Sequence, residues 1–439
     1  MKVYFISLGC DKNLVDSEVM IGLLQAAGHK LADDLEEADA AVVNTCCFIS
    51  DAKEESIQTV LSLSERRTAG ALRRLVVAGC LAQRYASEIR EQIPEVDAIV
   101  GTSSYEDIVA ALTADGEFES LRPLSYLPSP EAPRAVTAGN YVSYLKIAEG
   151  CDKRCTYCII PKIRGPYRSF SMESLVAEAS RLAAQGTREL ILVAQETTRY
   201  GIDLYGEKKL AQLVRSLCRI EELTWVRILY CYPEEIDDDL IRVLAEEPKV
   251  CKYLDMPIQH ASDEVLRRMG RRTTRADIEQ MIARLRREVP GIVLRTTMIT
   301  GFPGETDEEF AEMEDFVGKM RFERLGVFPY SKEEGTVAAA MKGQVPKRVK
   351  EKRRNRIMRL QRTICAEYSE SLVGRTMPVL VDGFLPEDDI FTGRTAGDAP
   401  TIDGAVFFEG PSSLMSGDVV QVRITGAKEY DLTGEVVTE

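Results

Sequence analysis

The sequence predicts an α/β chain in three parts: an N-terminal parallel-sheet domain, a central partial (β/α)6 barrel and a small C-terminal antiparallel β-barrel. Three observations carry this. Strand-like apolar runs alternate with helical stretches at the start of the chain, six strand–helix units follow between Tyr141 and Tyr330, and the tail changes to short strands separated by glycine turns.

In the first part KVYFISLGC, AAVVNTC and RLVVAGC read as strands, and each is followed by a helical stretch: Val15 to Ala27, Ala52 to Arg67, Leu81 to Ile93. Strands alternating with helices imply a parallel sheet, whose C-terminal strand ends share one rim, the edge where open α/β folds place ligands. All three runs end in a cysteine, Cys10, Cys46 and Cys80, so residues more than thirty positions apart can meet there. A single cysteine closing a strand reads as a small buried hydrophobe. Three in equivalent positions point to a shared three-thiolate site, and the fourth strand, DAIVGT, ends without one.

The stretch Glu119 to Gly139, with Pro123, Pro128, Pro130 and Pro133, reads as a linker or ordered connecting loop and sets expected domains at 1–116, 137–366 and 369–437. In the central part YVSYLKIAEG, ELILVAQET, TWVRILYC, KYLDMPI, VLRTTMITG and RLGVFPY are strands, with helices such as Met172 to Ala184, Ile278 to Arg287 and Asp307 to Met320. This is a TIM-like pattern, six units of the eight-fold design. The run EGCDKRCTYCIIP follows its first strand, at the C-terminal mouth where barrel enzymes keep their sites. Cys151, Cys155 and Cys158 are spaced to surround one metal centre, and soft sulfur suits an iron-sulfur cluster or zinc. Structural zinc closes a four-ligand shell, whereas this loop offers one triplet and the only histidines, His29 and His260, are distant in sequence. Three thiolates on a four-iron cube leave one iron open to a cofactor or substrate.

The 439 residues are 45% hydrophobic and 29% charged, a soluble globular composition without eighteen consecutive apolar residues or a signal-peptide pattern, so a cytoplasmic chain with no membrane partner is expected. Eleven cysteines, an odd number, do not read as a disulfide framework; Cys47, Cys218, Cys231, Cys251 and Cys365 have no spacing partner and read as buried thiols. A net charge of −14 argues against a broad grip on nucleic acid. From Val373 onward the strands MPVLVDGF, GAVFFEG and VVQVRIT carry four basic and twelve acidic residues, a balance of −8 suited to a basic protein partner. Lys342 to Arg362 is instead strongly basic, a solvated helix face or a contact for an acidic or phosphate-bearing surface.

Together SLGCDKNLVDSE, Cys46, Cys80, EGCDKRCTYCIIP, AQETTRYGIDLYG, PIQHASD, TTMITGFPGET and the final barrel resemble the radical-SAM methylthiotransferases along nearly the whole chain, in particular the branch that modifies a ribosomal protein. The resemblance implies an N-terminal methylthiotransferase domain, a radical-SAM core that includes the basic connecting helix, and a TRAM-like barrel. It implies two 4Fe-4S clusters, one on Cys151, Cys155 and Cys158 that binds S-adenosyl-L-methionine (SAM) and cleaves it to a 5′-deoxyadenosyl radical, and one on Cys10, Cys46 and Cys80 that carries the sulfur to be methylated. The implied substrate is the β-carbon of an aspartate in protein twelve of the small ribosomal subunit, with separate electron and sulfur donors.

By the same resemblance Gln195 and Glu196, at the end of the second central strand, are expected to contact the SAM amino group, and the glycines Gly301 and Gly304 in GFPGE would let backbone approach the cofactor. His260 reads equally as structural or catalytic, no catalytic side chain is assigned, and the direction of Arg295 depends on strand register. Two rivals stand beside this reading. One is the tRNA branch, acting on a modified adenosine, which the acidic tail disfavours because strong tRNA binding needs a basic surface. The other is a noncatalytic iron-sulfur or zinc scaffold, which two three-thiolate sites disfavour because structural sites fill their shell.

Overall fold

In the computed structural model, which describes residues 1–137, 139 and 141–437, the first part contains β1 (Lys2–Ser7), β2 (Lys30–Leu31), β3 (Ala40–Thr45), β4 (Arg74–Gly79), β5 (Ala98–Val100) and β6 (Phe118–Ser120). Residues 138 and 140, in the expected linker and at the opening of the expected central domain, lie outside the described residues. The strands form one parallel sheet in the order β2-β1-β3-β4-β5-β6. Every position of β3 and β4 is buried, because helices cover both faces, and this is why their sequences are nearly continuous apolar runs. Val60, Leu63 and Ile89 pack on one face; Met20, Leu24 and Ile108 pack on the other.

Two details depart from the expected outline. The helix expected from Leu81 to Ile93 breaks at Tyr85, whose extended φ of −129° separates Cys80–Arg84 from Ala86–Gln92. Strand β6 carries the first sheet to Ser120, past position 116, and the rest of the connecting stretch is clamped in place. The nearly buried Arg134 donates to Glu18 Oε2 (2.6 Å) and Glu178 Oε1 (2.7 Å), and Thr137 N–H donates to Glu18 Oε1 (2.7 Å).

The central part contains β7 (Val142–Lys146), a short antiparallel pair β8 (Ala148–Glu149) and β9 (Arg168–Ser169), then β10 (Glu189–Val193), β11 (Trp225–Ile228), β12 (Val250–Asp255), β13 (Val293–Thr300) and β14 (Arg324–Pro329). The six long strands are parallel, ordered β14-β13-β12-β11-β10-β7, the partial barrel expected. Helices Met172–Ala184, Leu210–Cys218, Asp238–Glu246, Arg275–Glu288 and Asp307–Met320 cover its outside through an extended apolar core. Capping boxes at Thr274/Asp277 and Thr306/Glu309 start the last two.

The tail folds into a closed barrel of β15 (Thr376–Leu385), β16 (Ile390–Thr395), β17 (Val406–Glu409), β18 (Val419–Lys428) and β19 (Asp431–Val436), ordered 15-16-17-19-18. It is antiparallel except between β17 and β19. Five strands in a ring cannot alternate direction all the way round, so one neighbouring pair must be parallel.

This small barrel fills the open inside of the partial one. Leu380 and Ala399 join Val193, Trp225, Tyr253 and Val293 on the inner face of the central sheet. Polar contacts complete the seam. Glu189 lies between Arg227 and Arg394 (both 2.7 Å), Asp398 accepts from Arg324 Nε (3.0 Å), and Asp403 accepts from the Tyr253 hydroxyl (2.7 Å). Arg295 therefore points inward, with Nη1 2.7 Å from Asp255 Oδ1 and Nε 3.6 Å from Asp403 Oδ1. The basic helix Lys347–Glu370 joins the two barrels; Lys350 and Arg353 turn inward while Arg348, Lys352 and Arg359 face solvent. Among the described residues no helix is long and apolar enough to cross a membrane.

Candidate active site: two cysteine trios

The rim of the N-terminal sheet gathers the first trio. Cys10 precedes the helix Asp11–Ala26, Cys46 follows β3 directly, and Cys80 opens the short helix after β4. The approach is close enough that two preceding residues must be glycine. Gly9 has φ +93°, and a methyl there would stand 2.7 Å from Cys46 Cβ; Gly79 has φ +90°, and a methyl there would stand 2.1 Å from Asn44 Oδ1. Asn13 ties the rim together, donating to the Leu8 carbonyl (3.0 Å) and the Thr45 carbonyl (2.9 Å). Ser56 Oγ accepts from Cys46 N–H (3.0 Å). Cys46 and Cys80 are buried and Cys10 is exposed. Burial pushes the Cys80 thiol up, opposed by Arg164 and reinforced by Cys46 and Cys10, so a nearby cation is needed to hold it as thiolate.

The central loop carries the second trio. Its turns are held by Cys151 N–H on the Gly165 carbonyl (3.1 Å), Thr156 N–H on the Met269 carbonyl (2.9 Å) and Cys158 N–H on the Cys155 carbonyl (3.0 Å). Arg154 adopts the left-handed φ of +52° between the first two cysteines. Burial pushes Cys151 up to about 12 and Cys158 further, with Cys155 and Cys151 adding to the latter. Two buried sulfurs and a half-buried one gathered in a short loop are the chemistry of a soft-metal ligand set. Among the described residues no three His, Cys, Asp or Glu side chains close on a single ion. A cube that takes one thiolate per iron does not require them to.

Gln195 and Glu196 stand beside this loop. Glu196 is fully buried, 3.5 Å from Lys153 Nζ, and burial pushes its carboxyl up to about 7 against the pull of Lys153. Its Oε2 and the Gln195 Oε1 are buried without a hydrogen-bond partner, orphaned acceptors that a cofactor ammonium would satisfy. Gly301 and Gly304 are placed differently. The space beside Gly301 is filled by the Lys350 side chain and its N–H donates to Glu305 Oε2 (2.8 Å), while Gly304 N–H donates to the Gly343 carbonyl (2.8 Å). The close approach at Gly301 is thus to the chain itself, whereas the space beside Gly304 is open. His260 is buried, accepts from Ser262 N–H on Nδ1 (3.0 Å) and has Nε2 3.3 Å from Glu305 Oε2.

Several residues near the trios escaped the sequence reading. Tyr230 takes the left-handed φ of +61° just beyond β11, and its hydroxyl donates to Asp11 Oδ1 (3.1 Å). Lys12 Nζ lies 3.3 Å from the Tyr230 ring centre and 2.9 Å from Asp11. Tyr230 and Asp11 border a cavity of about 780 Å³ where all three parts of the chain meet, lined also by Cys10, Tyr144, Thr401 and Asp403 among others. Of the five cysteines without a spacing partner, Cys218 is half-buried and the others are buried.

A parallel partial barrel with a three-cysteine loop at its mouth and a carboxylate and amide beside it defines a radical SAM enzyme, and residues 145–317 match the Radical SAM superfamily. Residues 2–101 match the uncharacterized protein family UPF0004, and residues 373–437 match the TRAM domain. The chain is 57% identical over 437 residues to the ribosomal protein uS12 methylthiotransferase RimO of Lachnoclostridium phytofermentans, covering 99% of each. It is 49% identical over 441 residues to the protein of that name from Pelotomaculum thermopropionicum, covering 100% of this chain and 99% of the relative. The chain belongs to the RimO family of radical SAM methylthiotransferases. Among solved structures it is similar in fold to the radical SAM methyltransferase TsrM of Kitasatospora setae (TM-score 0.53, 18% identity, 75% of each chain). It is likewise similar to the cobalamin-dependent radical SAM enzyme OxsB (TM-score 0.51, 14% identity, 77% of this chain and 54% of that one).

Proposed function

We propose that this chain adds a methylthio group to the β-carbon of an aspartate in ribosomal protein uS12, with two 4Fe-4S clusters and SAM. What supports this most is that the sheet rim gathers Cys10, Cys46 and Cys80 while Arg164, just past the Cys151–Cys158 loop, reaches the sulfur of Cys80 (3.5 Å). Cys151, Cys155 and Cys158 would hold one cluster, and Cys10, Cys46 and Cys80 the other. When bound, the clusters and SAM supply a hydrogen-abstracting radical and the methylthio group, chemistry that no side chain of the protein provides.

The side chains bind and orient. Glu196 and Gln195 turn buried, unpaired oxygens toward the cofactor side, and an arriving ammonium would draw the Glu196 carboxyl into its ionised form. Lys350 fills the space beside Gly301, while the space beside Gly304 is open, so of the two glycines Gly304 is the one we keep as a place where backbone can approach the cofactor. The cavity at Cys10 is the site for the protein substrate. Asp11, Asp403 and the acidic C-terminal barrel favour the basic surface of a ribosomal protein. The same acidity disfavours tRNA. A one-electron reductant and a sulfur source, both supplied from outside, complete the reaction, which belongs in the cytoplasm with the ribosome.

The test is anaerobic incubation of reconstituted protein with SAM, reductant, sulfide and either uS12 or tRNA, followed by mass spectrometry. A methylthio mass on one uS12 aspartate is expected. The same mass on tRNA alone, or on neither, refutes the proposal.

A further inference from the structure

Arg164 ends the short helix Ile160–Ile163 that follows the Cys151–Cys158 loop, and its guanidinium is buried at 2% exposure. One terminal nitrogen donates to Asp16 Oδ2 (2.7 Å) and Glu149 Oε2 (3.1 Å). The other donates to Asn13 Oδ1 and, at 3.5 Å, to the sulfur of Cys80. Glu149 immediately precedes the Gly150–Cys151 step, and its second oxygen accepts from Gln195 Nε2 (2.9 Å). An unbroken line of polar contacts therefore runs from Cys80, through Arg164 and Glu149, to Gln195 on the cofactor wall.

Charge balance alone does not require this aim. Lys146 already pairs with both Asp16 and Glu149, so two cations face two carboxylates whether or not Arg164 also reaches sulfur. The two trios differ as a result. Among the described residues Cys80 receives a guanidinium hydrogen bond, while the other trio has the Tyr232 hydroxyl 3.9 Å from Cys155 and the buried Arg271 stacked on the Tyr232 ring without a hydrogen bond to its sulfurs. A donor on a ligating sulfur withdraws charge from its cluster and favours the reduced form, and partners behind the ligands tune a metal site in this way.

We propose that Arg164 is a positioning residue for the reaction: it fixes Cys80 and sets the second cluster at a higher reduction potential than the first, leaving the Cys151–Cys158 cluster the stronger reductant. This rests on the two-cluster reading above. The test uses full-length reconstituted wild type, Arg164→Gln and Arg164→Lys, with iron content and a redox titration followed by electron paramagnetic resonance. Both variants are expected to keep about eight irons. One midpoint potential should fall, more in Gln than in Lys, while the other stays at its wild-type value. Lysine keeps the charge but cannot span Glu149 and sulfur together, so it remains informative where Gln fails to fold.

Wild-type potentials in Arg164→Lys, equal shifts of both clusters, or unfolding of both variants would each overturn the role and leave Arg164 a brace. A wild type with only about four irons is a separate failure, of the two-cluster reading itself.

Discussion

Replacing Gly79 by alanine tests the geometry of the N-terminal rim. Gly79 sits at φ +90°, ψ −150°, a region open essentially to glycine alone, so any side chain there costs about 1–3 kcal/mol of backbone strain. The added methyl would also stand 2.1 Å from Asn44 Oδ1 and 2.7 Å from the Thr45 carbonyl of the neighbouring strand. To clear it, Asn44 must give up its donations to the Asn13 carbonyl and Ser17 Oγ (both 2.9 Å), about 1 kcal/mol each. The sum, about 3–5 kcal/mol, is a large share of the roughly 5–15 kcal/mol that holds a domain together. In thermal melts followed by circular dichroism, the N-terminal transition should fall by about 10–20 °C. The second cluster should be lost with it. Gly70→Ala is the control: its φ is +76° with nothing within 4 Å, so it should cost only about 1–2 kcal/mol of strain. A Gly79→Ala protein that melts like wild type and loads the same iron would refute the crowding at the rim.

Other sites yield further tests. Arg227→Ala leaves Glu189 buried with only Arg394, so stability measured by denaturant unfolding should drop by about 3–5 kcal/mol; a loss under 1 kcal/mol would show that the seam does not depend on this pair. Burial pushes Glu189 up, but Arg227 and Arg394 outweigh it and hold its carboxyl below the usual value of 4.5. The ionised form thus stabilises the fold above that pH and its contribution is lost as pH falls below it. The melting advantage of wild type over Glu189→Gln should therefore be full at neutral pH and shrink under acid, and an advantage that grows under acid contradicts the assignment. Glu196→Gln should weaken SAM binding about 10–100-fold in calorimetry on cluster-loaded protein, the value of one charge-assisted hydrogen bond, and unchanged affinity would take Glu196 off the cofactor wall.

The strands that could be read from the sequence were those with long apolar runs, and both cysteine trios lay at ends the parallel topology placed on a common edge. Short or glycine-broken strands could not be read this way: β2 has two residues, β6 lies at the start of a proline-rich stretch, and β16 reads FTGRT between polar turns. The inner face of the central sheet was hidden for another reason. Glu189 and Arg227 look like solvent-facing charges in ELILV and WVRI, but they pair with each other across adjacent strands in the interior, and Arg394 arrives from a distant strand to complete the cluster. Arg164 was concealed by distance as well, since its partner Cys80 lies 84 positions earlier. One local signal was available. The pair Gly-Cys occurs at 9–10, 79–80 and 150–151, and each glycine has a positive φ.

The most direct measurement is iron and sulfide content, with Mössbauer spectra, on anaerobically purified wild type and on the chain with Cys10, Cys46 and Cys80 all changed to alanine. Two clusters require about eight irons in the first and about four in the second, with the remaining cluster still responsive to SAM. Equal iron in both proteins, or zinc in place of iron, would contradict the assignment of those three sulfurs.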